Sequence, residues 1–382
     1  MSNPSDFQLP ETFRGLQFTS PSKPGSVVEL PTPLPSAGSV ILRPLNSHIV
    51  SYAKEVFSNG NVRGYKYPLP LIPGTNGICR IAAPATDTPH LQVGMLVYTS
   101  GIIRPRDNLN MLPLLQGIHM GASPEGQALM NGEWRNGTWA ELVKVPAENI
   151  HVLNEHILTK ELGYSFEDLG YISTLAVPFG GLSDIGLRPG ETVIVAPATG
   201  NFGSAAVLVA LAMGAGKVIA VGRNEAKLKQ ICHDTNNSKV VPVTISEDLG
   251  ADTAALQAHG PVDVYFDISP NSAAKALYIK AGISALRRGG RVSFMGGIMN
   301  DIDLPYHMMM FKALTLKGTF MYTPQQVNEL IRLIETGLLP IGEKGKIQVS
   351  GRFPLHKWEE AFENANEAGP MKATYFQPNV TG

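Results

Sequence analysis

Only two cysteines, Cys79 and Cys232, occur in the 382 residues of this chain. That excludes a disulfide framework and any metal site built from several thiolates. An excess of one charge is also missing: 31 Lys and Arg stand against 32 Asp and Glu, a formal net charge of -1. The basic residues are scattered, with no run longer than Arg287-Arg288. There is therefore no electrostatic reason to expect nucleic acid or an anionic membrane as partner. No stretch reaches the roughly 20 apolar residues that a bilayer crossing takes. Residues 1–10 lack the basic-then-apolar order of a secretory signal. A reducing, cytoplasmic setting is the expectation.

A hydrophobic content of 43% with 16% charged residues belongs to a folded chain, and 41.0 kDa is too much for one ordinary core. Two domains are expected. Residues 1–157 are rich in Pro and Gly with short apolar runs, the texture of an irregular β domain. Within them, 102–137 reads as a long loop excursion carrying Met111, Leu112, Leu114, Leu115 and Met120. From 158 to 320 the pattern becomes strand, turn, helix, repeated, which implies a parallel sheet with right-handed crossovers. Strands are expected at 192–196, 217–221, 262–266, 291–295 and 315–318, with a long helix over 272–288 stopped by Gly289-Gly290. Residues 321–382 read as the chain returning to complete the first domain.

The most informative stretch follows the 192–196 strand: Ala198-Thr199-Gly200-Asn201-Phe202-Gly203, a dinucleotide fingerprint with Ala in the first glycine position. Gly200 lets the backbone approach a pyrophosphate, and Gly203 lets the following helix pack tightly on the strand. The free N–H groups at the start of that helix then face the phosphates. A second strand ends about 20 residues later, as the motif requires. There, an NAD-preferring site offers Asp or Glu to the ribose hydroxyls; this chain has Gly222-Arg223-Asn224. A missing carboxylate removes repulsion against a 2′-phosphate, and Arg223 offers a forked donor for it, with Lys227 a second charge. The alternative is a solvated Arg223 and an Asn224 that merely caps the next helix. NADPH is the expected cofactor, with Ser269, Gly296 and Gly297 at the ends of later strands completing the set.

These residues resemble the medium-chain dehydrogenase/reductase superfamily. Gly186-Leu187-Arg188-Pro189-Gly190-Glu191-Thr192-Val193 looks like that family's entry into the cofactor domain, and the run 138–146 (TWAELVKVP) looks like the strand before it. Leu71-Ile72-Pro73-Gly74 and Leu91-Gln92-Val93-Gly94-Met95-Leu96-Val97 are similar to its substrate domain. Asp267, Gly289-Gly290-Arg291-Val292 and Gly296-Gly297 fall where the later nucleotide-fold strands belong. The resemblance implies an α/β protein, a Rossmann doubly wound parallel-sheet cofactor domain plus a chaperonin-10-like irregular β-barrel substrate domain. It also implies a homodimer paired through the cofactor domains, here through 291–303.

Zinc members of that family carry a Cys, a Gly-His-Glu motif and a third ligand, aligned here with Ser51, Gly74-Thr75-Asn76 and Ser173. Neutral hydroxyls are poor zinc ligands, so no metal is expected, and the closest resemblance is to the zinc-independent branch of quinone oxidoreductases and enoyl reductases. That branch often has Asn and Asp where this chain has Ser51 and Lys54, and Val177 stands where Thr is frequent near the nicotinamide. Without metal, charge left by hydride transfer must be met by hydrogen-bond donors or spread by the substrate itself. An enone or quinone does the latter. Reduction of an activated C=C bond or a quinone of an apolar small molecule is the first reading. A metal-free carbonyl reductase or alcohol dehydrogenase, and a non-catalytic nucleotide-binding relative, are the alternatives. Ser51, Tyr52 and Lys54 are the catalytic candidates, Tyr52 as proton donor or oxyanion stabiliser, with Lys54 to lower its pKa or anchor the ribose. The alternative for Tyr52 is half-buried packing. His48, His119, Tyr65 and Tyr67 are further cleft candidates, and Met308, Met309 and Met310 are expected in the core.

Overall fold

A computed structural model describes residues 9–108 and 110–379. By internal contacts the chain divides into two compact units: residues 1–173, 347–368 and 372–382 form the first, and 174–346 with 369–371 the second. These boundaries lie beyond the 157/158 and 320/321 junctions expected from composition. The helix Phe166–Gly170 packs on strands Ser39–His48 and Gly77–Pro84, which keeps it in the first unit. The helix Pro324–Glu335 stays with the second, where Gln326 Nε2 donates to the Gly180 carbonyl.

The second unit is a six-stranded, wholly parallel sheet. In chain order the strands are β1 (Thr192–Ala196), β2 (Lys217–Gly222), β3 (Val240–Thr244), β4 (Val262–Asp267), β5 (Leu286–Phe294) and β6 (Thr315–Gly318). They lie in the order β3-β2-β1-β4-β5-β6. The helices that follow β1 are α1 (Asn201–Ala212), α2 (Glu225–Thr235), α3 (Leu249–Gln257), α4 (Leu277–Ala285), α5 (Tyr306–Phe311) and α6 (Pro324–Glu335). Strands β1, β2 and β4 are near-continuous apolar runs because a parallel sheet is covered on both faces: Ile194, Ile219 and Tyr265 share one core with Val292 of β5 and Ile283 of α4. Strand order reverses between β1 and β4, and the crevice at their carboxyl ends is where this architecture binds ligands.

Two expected elements differ. The long helix is only α4, and β5 follows it directly, so Gly289-Gly290 lie inside the strand. They form a bulge: register slips between Val262/Leu286 and Val264/Arg291, and Gly289 sits at φ +71°, a left-handed value that favours glycine. The methionines of α5 do not fill the core as a group. Only Met309 packs on the sheet core, and Met310 is exposed.

The first unit is an irregular β fold of the chaperonin-10 type. Its main sheet runs Gln348–Phe353, Lys372–Phe376, Ser39–His48, Gly77–Pro84, Leu96–Thr99, Ile150–Val152, with Val143–Pro146 paired to Ser39–His48. Apolar alternation builds one core from Val40, Leu42, Cys79, Ile81, Val97, Val143 and Val145. The returning C-terminal segment supplies the other: Phe362 of helix Trp358–Glu367 and Phe376 lie 5.4 Å and 5.1 Å from the Trp139 ring, respectively. The 102–137 excursion is structured. Ile102–Ile103 pairs with Leu114–Leu115, helix Pro124–Asn131 is capped by Ser123, and Ile103, Leu114, Met130 and Trp134 make a small core against which Met111 and Met120 pack.

Candidate active site

The turn after β1 is set by contact rather than by sequence preference. At Gly203 a Cβ would run into the Pro197 carbonyl oxygen and lie 2.9 Å from Ala198 Cα, so only glycine lets α1 sit this close to the strand. Ala198 is buried, and its N–H donates to the Val221 carbonyl at 2.7 Å, tying the turn to β2. Gly200 is the opposite case. It is the N-cap of α1, exposed, and a Cβ there meets no atom within 4 Å. The space beside it is open to a ligand's phosphates. No side chain caps α1, which leaves the N–H groups of its first turn available to an anion. Asn201 and Phe202 open that turn, both half-buried, and Thr199 precedes it.

At the end of β2 the position of the absent carboxylate is tightly enclosed. A Cβ on Gly222 would lie 2.8 Å from Thr199 Cγ2 and 3.5 Å from Leu228 Cδ2. The site has no room for Asp or Glu unless Thr199 moves. Next to it, Asn224 caps α2 by accepting from the Lys227 N–H at 3.0 Å, so Asn224 is a structural residue here. Lys229 is ion-paired with Glu225 at 2.7 Å. Arg223 and Lys227 are exposed, and neither has an acidic partner among the described residues.

The end of β4 holds a buried polar string in which sequence reading had Asp267 and Ser269 but neither tyrosine. Ser269 Oγ donates to Asp267 Oδ1 at 2.5 Å and lies 2.8 Å from the Tyr278 hydroxyl, while the Tyr265 hydroxyl donates to the same carboxylate at 3.3 Å. Asp267 is 2% exposed. Burial lifts its carboxyl to about 6, against the lowering effect of hydrogen bonds from Ser269, Tyr265 and Gly296. Gly296 must lack a side chain because a Cβ would meet Asp267 Oδ2 at 2.6 Å, and the Gly297 N–H donates to the Ser269 carbonyl at 2.8 Å. Ser269, Gly296 and Gly297 thus converge, with Tyr278 as a further member. In sequence Tyr278 is one aromatic in an apolar helix; nothing in its spacing points to the crevice.

In the first unit, Tyr52 sits at the N-cap position of the short helix Ala53–Phe57, with Ser51 just before it. The Arg63 guanidinium lies 4.1 Å from the Tyr52 ring centroid and is held by Glu55 at 2.5 Å. Tyr65 meets Tyr52 edge-on at 6.3 Å and His119 at 6.1 Å. Burial, reinforced by Tyr65 and only partly opposed by Arg63, pushes the Tyr52 phenol well above its usual range. Lys54 is turned elsewhere, in an ion pair with Glu363; the cation beside Tyr52 is Arg63. Tyr67 is packing, its hydroxyl donating to the Val56 carbonyl at 2.9 Å. His48 is buried and held neutral, its imidazole lowered to about 4 by burial.

The positions aligned with zinc ligands do not suit zinc. The Asn76 backbone carbonyl accepts from the hydroxyl pair Ser47 and Thr138, whose oxygens lie 3.2 Å and 3.1 Å from it and 2.6 Å from each other. Ser173 is 3% exposed, and its hydroxyl has no hydrogen-bond partner among the described residues. With Ser51 and Thr75 the set is neutral oxygen throughout. No group of three His, Cys, Asp or Glu side chains able to hold a metal occurs among the described residues.

A family model described as "Zinc-binding dehydrogenase" matches residues 202–336, a stretch within the second unit. The chain is 23% identical over 357 residues to L-threonine 3-dehydrogenase of Saccharopolyspora erythraea, covering 92% of this chain and 95% of that one. It is 27% identical over 237 residues to probable D-xylulose reductase A of Aspergillus fumigatus, 62% of each. A thermostable alcohol dehydrogenase from Pyrobaculum aerophilum shares the fold with a TM-score of 0.72 at 18% identity, over 96% of this chain and 100% of that one. So does a short chain alcohol dehydrogenase from E. coli CFT073 complexed with NADH, at 0.73 and 16%, over 94% and 97%. A Sinorhizobium meliloti protein bound to NADP matches at 0.71 and 17%, over 97% and 100%. Taken with the reversal of strand order at β1/β4 and the fingerprint turn, these likenesses support the reading of the chain as an NAD(P)H-dependent oxidoreductase of the medium-chain dehydrogenase/reductase type.

Proposed function

We propose that this protein is a zinc-independent oxidoreductase that uses NADPH to reduce an activated C=C bond or a quinone of a fairly apolar small molecule. The observation that carries the cofactor half is the closed position at Gly222 beside two cations without acidic partners, Arg223 and Lys227. The pyrophosphate would lie along Gly200 and the first turn of α1, and the 2′-phosphate against Arg223 and Lys227. The bound dihydronicotinamide supplies hydride. The protein's part is to meet the charge left on the acceptor. Tyr52 suits this: a phenol held neutral by burial donates a hydrogen bond to a developing oxyanion without itself ionising. Its own acidity is too low for the proton to leave readily, so the proton that completes the two-electron reduction comes from water. A conjugated acceptor, which spreads the charge, needs no stronger electrophile.

A second reading is metal-free reduction of a ketone or oxidation of an alcohol, favoured by the names of the relatives, which act on threonine, xylulose and alcohols. A panel separates the readings. Chelator-treated protein is given NADPH with enones, quinones and ketones, and NADP+ with secondary alcohols. Turnover of enones or quinones at a rate unchanged by chelation supports the first reading. Ketone or alcohol turnover alone supports the second, and turnover abolished by chelation overturns zinc-independence. NADPH binding with no turnover anywhere would mark a non-catalytic relative.

We infer also that the macromolecular partner is a second copy of this chain. Strand β6 is an edge with one neighbour, and Met299, Tyr306 and Phe311 of the preceding segment and Phe320 just after it are large apolar side chains left exposed. An unpaired edge with apolar flanks is self-complementary under a two-fold axis.

A further inference from the structure

In the first unit, a cavity of about 230 Å³ is lined by the N-terminal hairpin (Thr12–Gln17 with Ser26–Pro31) and by the chain that follows helix Pro124–Asn131. Phe13 and Leu30 are direct cross-strand partners in the hairpin, so the strand alternation puts both on one face. Pro33 and Leu142 extend that apolar lining. The polar lining is Glu133, Arg135, Asn136 and Lys144, and its hydrogen bonds can be counted. Glu133 and Lys144 neutralise each other in an ion pair, and the Ser36 hydroxyl donates to the same carboxylate at 2.7 Å. Asn136 Oδ1 accepts from the Ile72 N–H at 3.1 Å, which leaves its Nδ2 without an acceptor among the described residues. Arg135 donates from Nε and Nη2 to one neutral oxygen, the Asn131 carbonyl. The fork formed by Nη1 and the second Nη2 proton has no acceptor, and the charge has no acidic partner among the described residues. What this lining lacks is therefore an acceptor carrying one negative charge. Its back is fixed in advance: buried Gln116 donates from Nε2 to the Asn136 and Lys144 carbonyls, both at 2.8 Å.

We propose that this cavity binds a small monocarboxylic acid with an apolar body. The carboxylate lies on the open fork of Arg135 and the Asn136 amide, and the body lies against Phe13, Leu30, Pro33 and Leu142. A planar fork suits a planar carboxylate, which it meets with two parallel hydrogen bonds. A preformed apolar wall with a few convergent donors is the usual make-up of a small-molecule site. None of the lining residues belongs to the nucleotide turn or to the group around Tyr52, so the inference stands or falls apart from the NADPH reading.

The test is isothermal titration calorimetry on the full chain. The probes are hexanoate and benzoate, with hexanamide as the uncharged counterpart and inorganic phosphate as an anion without an apolar body. One-to-one binding of at least one acid is expected, with a dissociation constant of roughly 1 mM or tighter, the range open to ligands of this size. Hexanamide and phosphate should bind at least about tenfold more weakly. Arg135→Gln should weaken the acid by about tenfold or more, the usual size of losing a hydrogen bond to a charged group, and should keep the wild-type melting temperature without ligand. Should that variant misfold, Leu30→Glu at the half-buried hairpin position places a second carboxylate in the lining, and the same loss is expected. The inference is overturned if neither acid reaches that affinity or if hexanamide binds as well as hexanoate. Acid binding unchanged in the folded variant, or displaced competitively by NADPH, would place the ligand elsewhere and overturn it equally.

Discussion

Gly200 and Gly203 stand three residues apart in one turn and are glycine for different reasons. The Gly203 position is closed by the Pro197 carbonyl and by Ala198, whereas the Gly200 position faces open space. Gly203→Ala should therefore act on the fold, costing about 1–3 kcal/mol by overpacking, seen as a lowered melting temperature without ligand. Gly200→Ala should leave the melting temperature unchanged and weaken NADPH binding, because its backbone conformation suits alanine and its methyl group would intrude on the phosphates. Equal loss of stability in both variants would contradict this division. Asp267 gives a pH signature. Its folded pKa of about 6 lies above the ordinary 3.8, so the native state holds the proton more tightly than the unfolded chain. The associated stability is fully present below about pH 4 and lost as pH rises through 6. The stability difference between wild type and Asp267→Asn should accordingly fall by roughly 3 kcal/mol from pH 4 to pH 7, measured by urea unfolding across that range. A pH-independent difference would show that burial does not perturb this carboxyl. At Tyr52, replacement by Phe should lower turnover by roughly 10²-fold with little change in NADPH affinity; an unchanged rate would remove it from the site.

The elements show what a sequence carries and what it leaves out. β1, β2 and β4 were legible because a parallel strand covered on both faces reads as an apolar run, and the cap of α2 was legible because Asn224 is chemically suited to it. The 102–137 segment was not. Its strands Ile102–Ile103 and Leu114–Leu115 are too short to show alternation, and its core is made by Met130 and Trp134 folding back from a later helix. The helix expected over 272–288 was misjudged for a related reason: Gly289-Gly290 looks the same whether it stops a helix or makes a bulge. Local composition also misplaced α6, since an amphipathic helix does not announce which sheet it covers. As for the site, the fingerprint turn and Arg223 were visible in sequence, whereas the Asp267–Ser269–Tyr278 string exists only once α4 brings Tyr278 back to the end of β4. Arg63 beside Tyr52 was equally hidden, and Lys54, the cation expected there, is ion-paired with Glu363. The Asn224 cap yields a modest test. Asn224→Ala should cost about 1 kcal/mol of stability without changing the preference for NADPH over NADH, since its amide oxygen is committed to the Lys227 N–H.

At the scale of the whole molecule, the chain combines a nucleotide-binding sheet with an irregular β unit that its own C-terminus completes. Phe362 and Phe376 of the returning segment are fully buried against Trp139, so Phe362→Ala should destabilise the protein by about 3–5 kcal/mol. Light scattering should find a species of twice 41.0 kDa, and Phe311→Glu at the exposed flank should shift it toward the single mass. A single mass in the wild type would contradict pairing through β6. The claim on which all else depends is nicotinamide-nucleotide binding at the carboxyl ends of β1, β2 and β4. The most direct measurement is a fluorescence titration of purified, metal-stripped protein with NADPH and with NADH, repeated on Arg223→Ala. The account predicts tighter binding of NADPH than of NADH, and loss of that preference in the variant. If neither nucleotide binds, the turn at 198–203 is only a structural feature, and the oxidoreductase reading is contradicted.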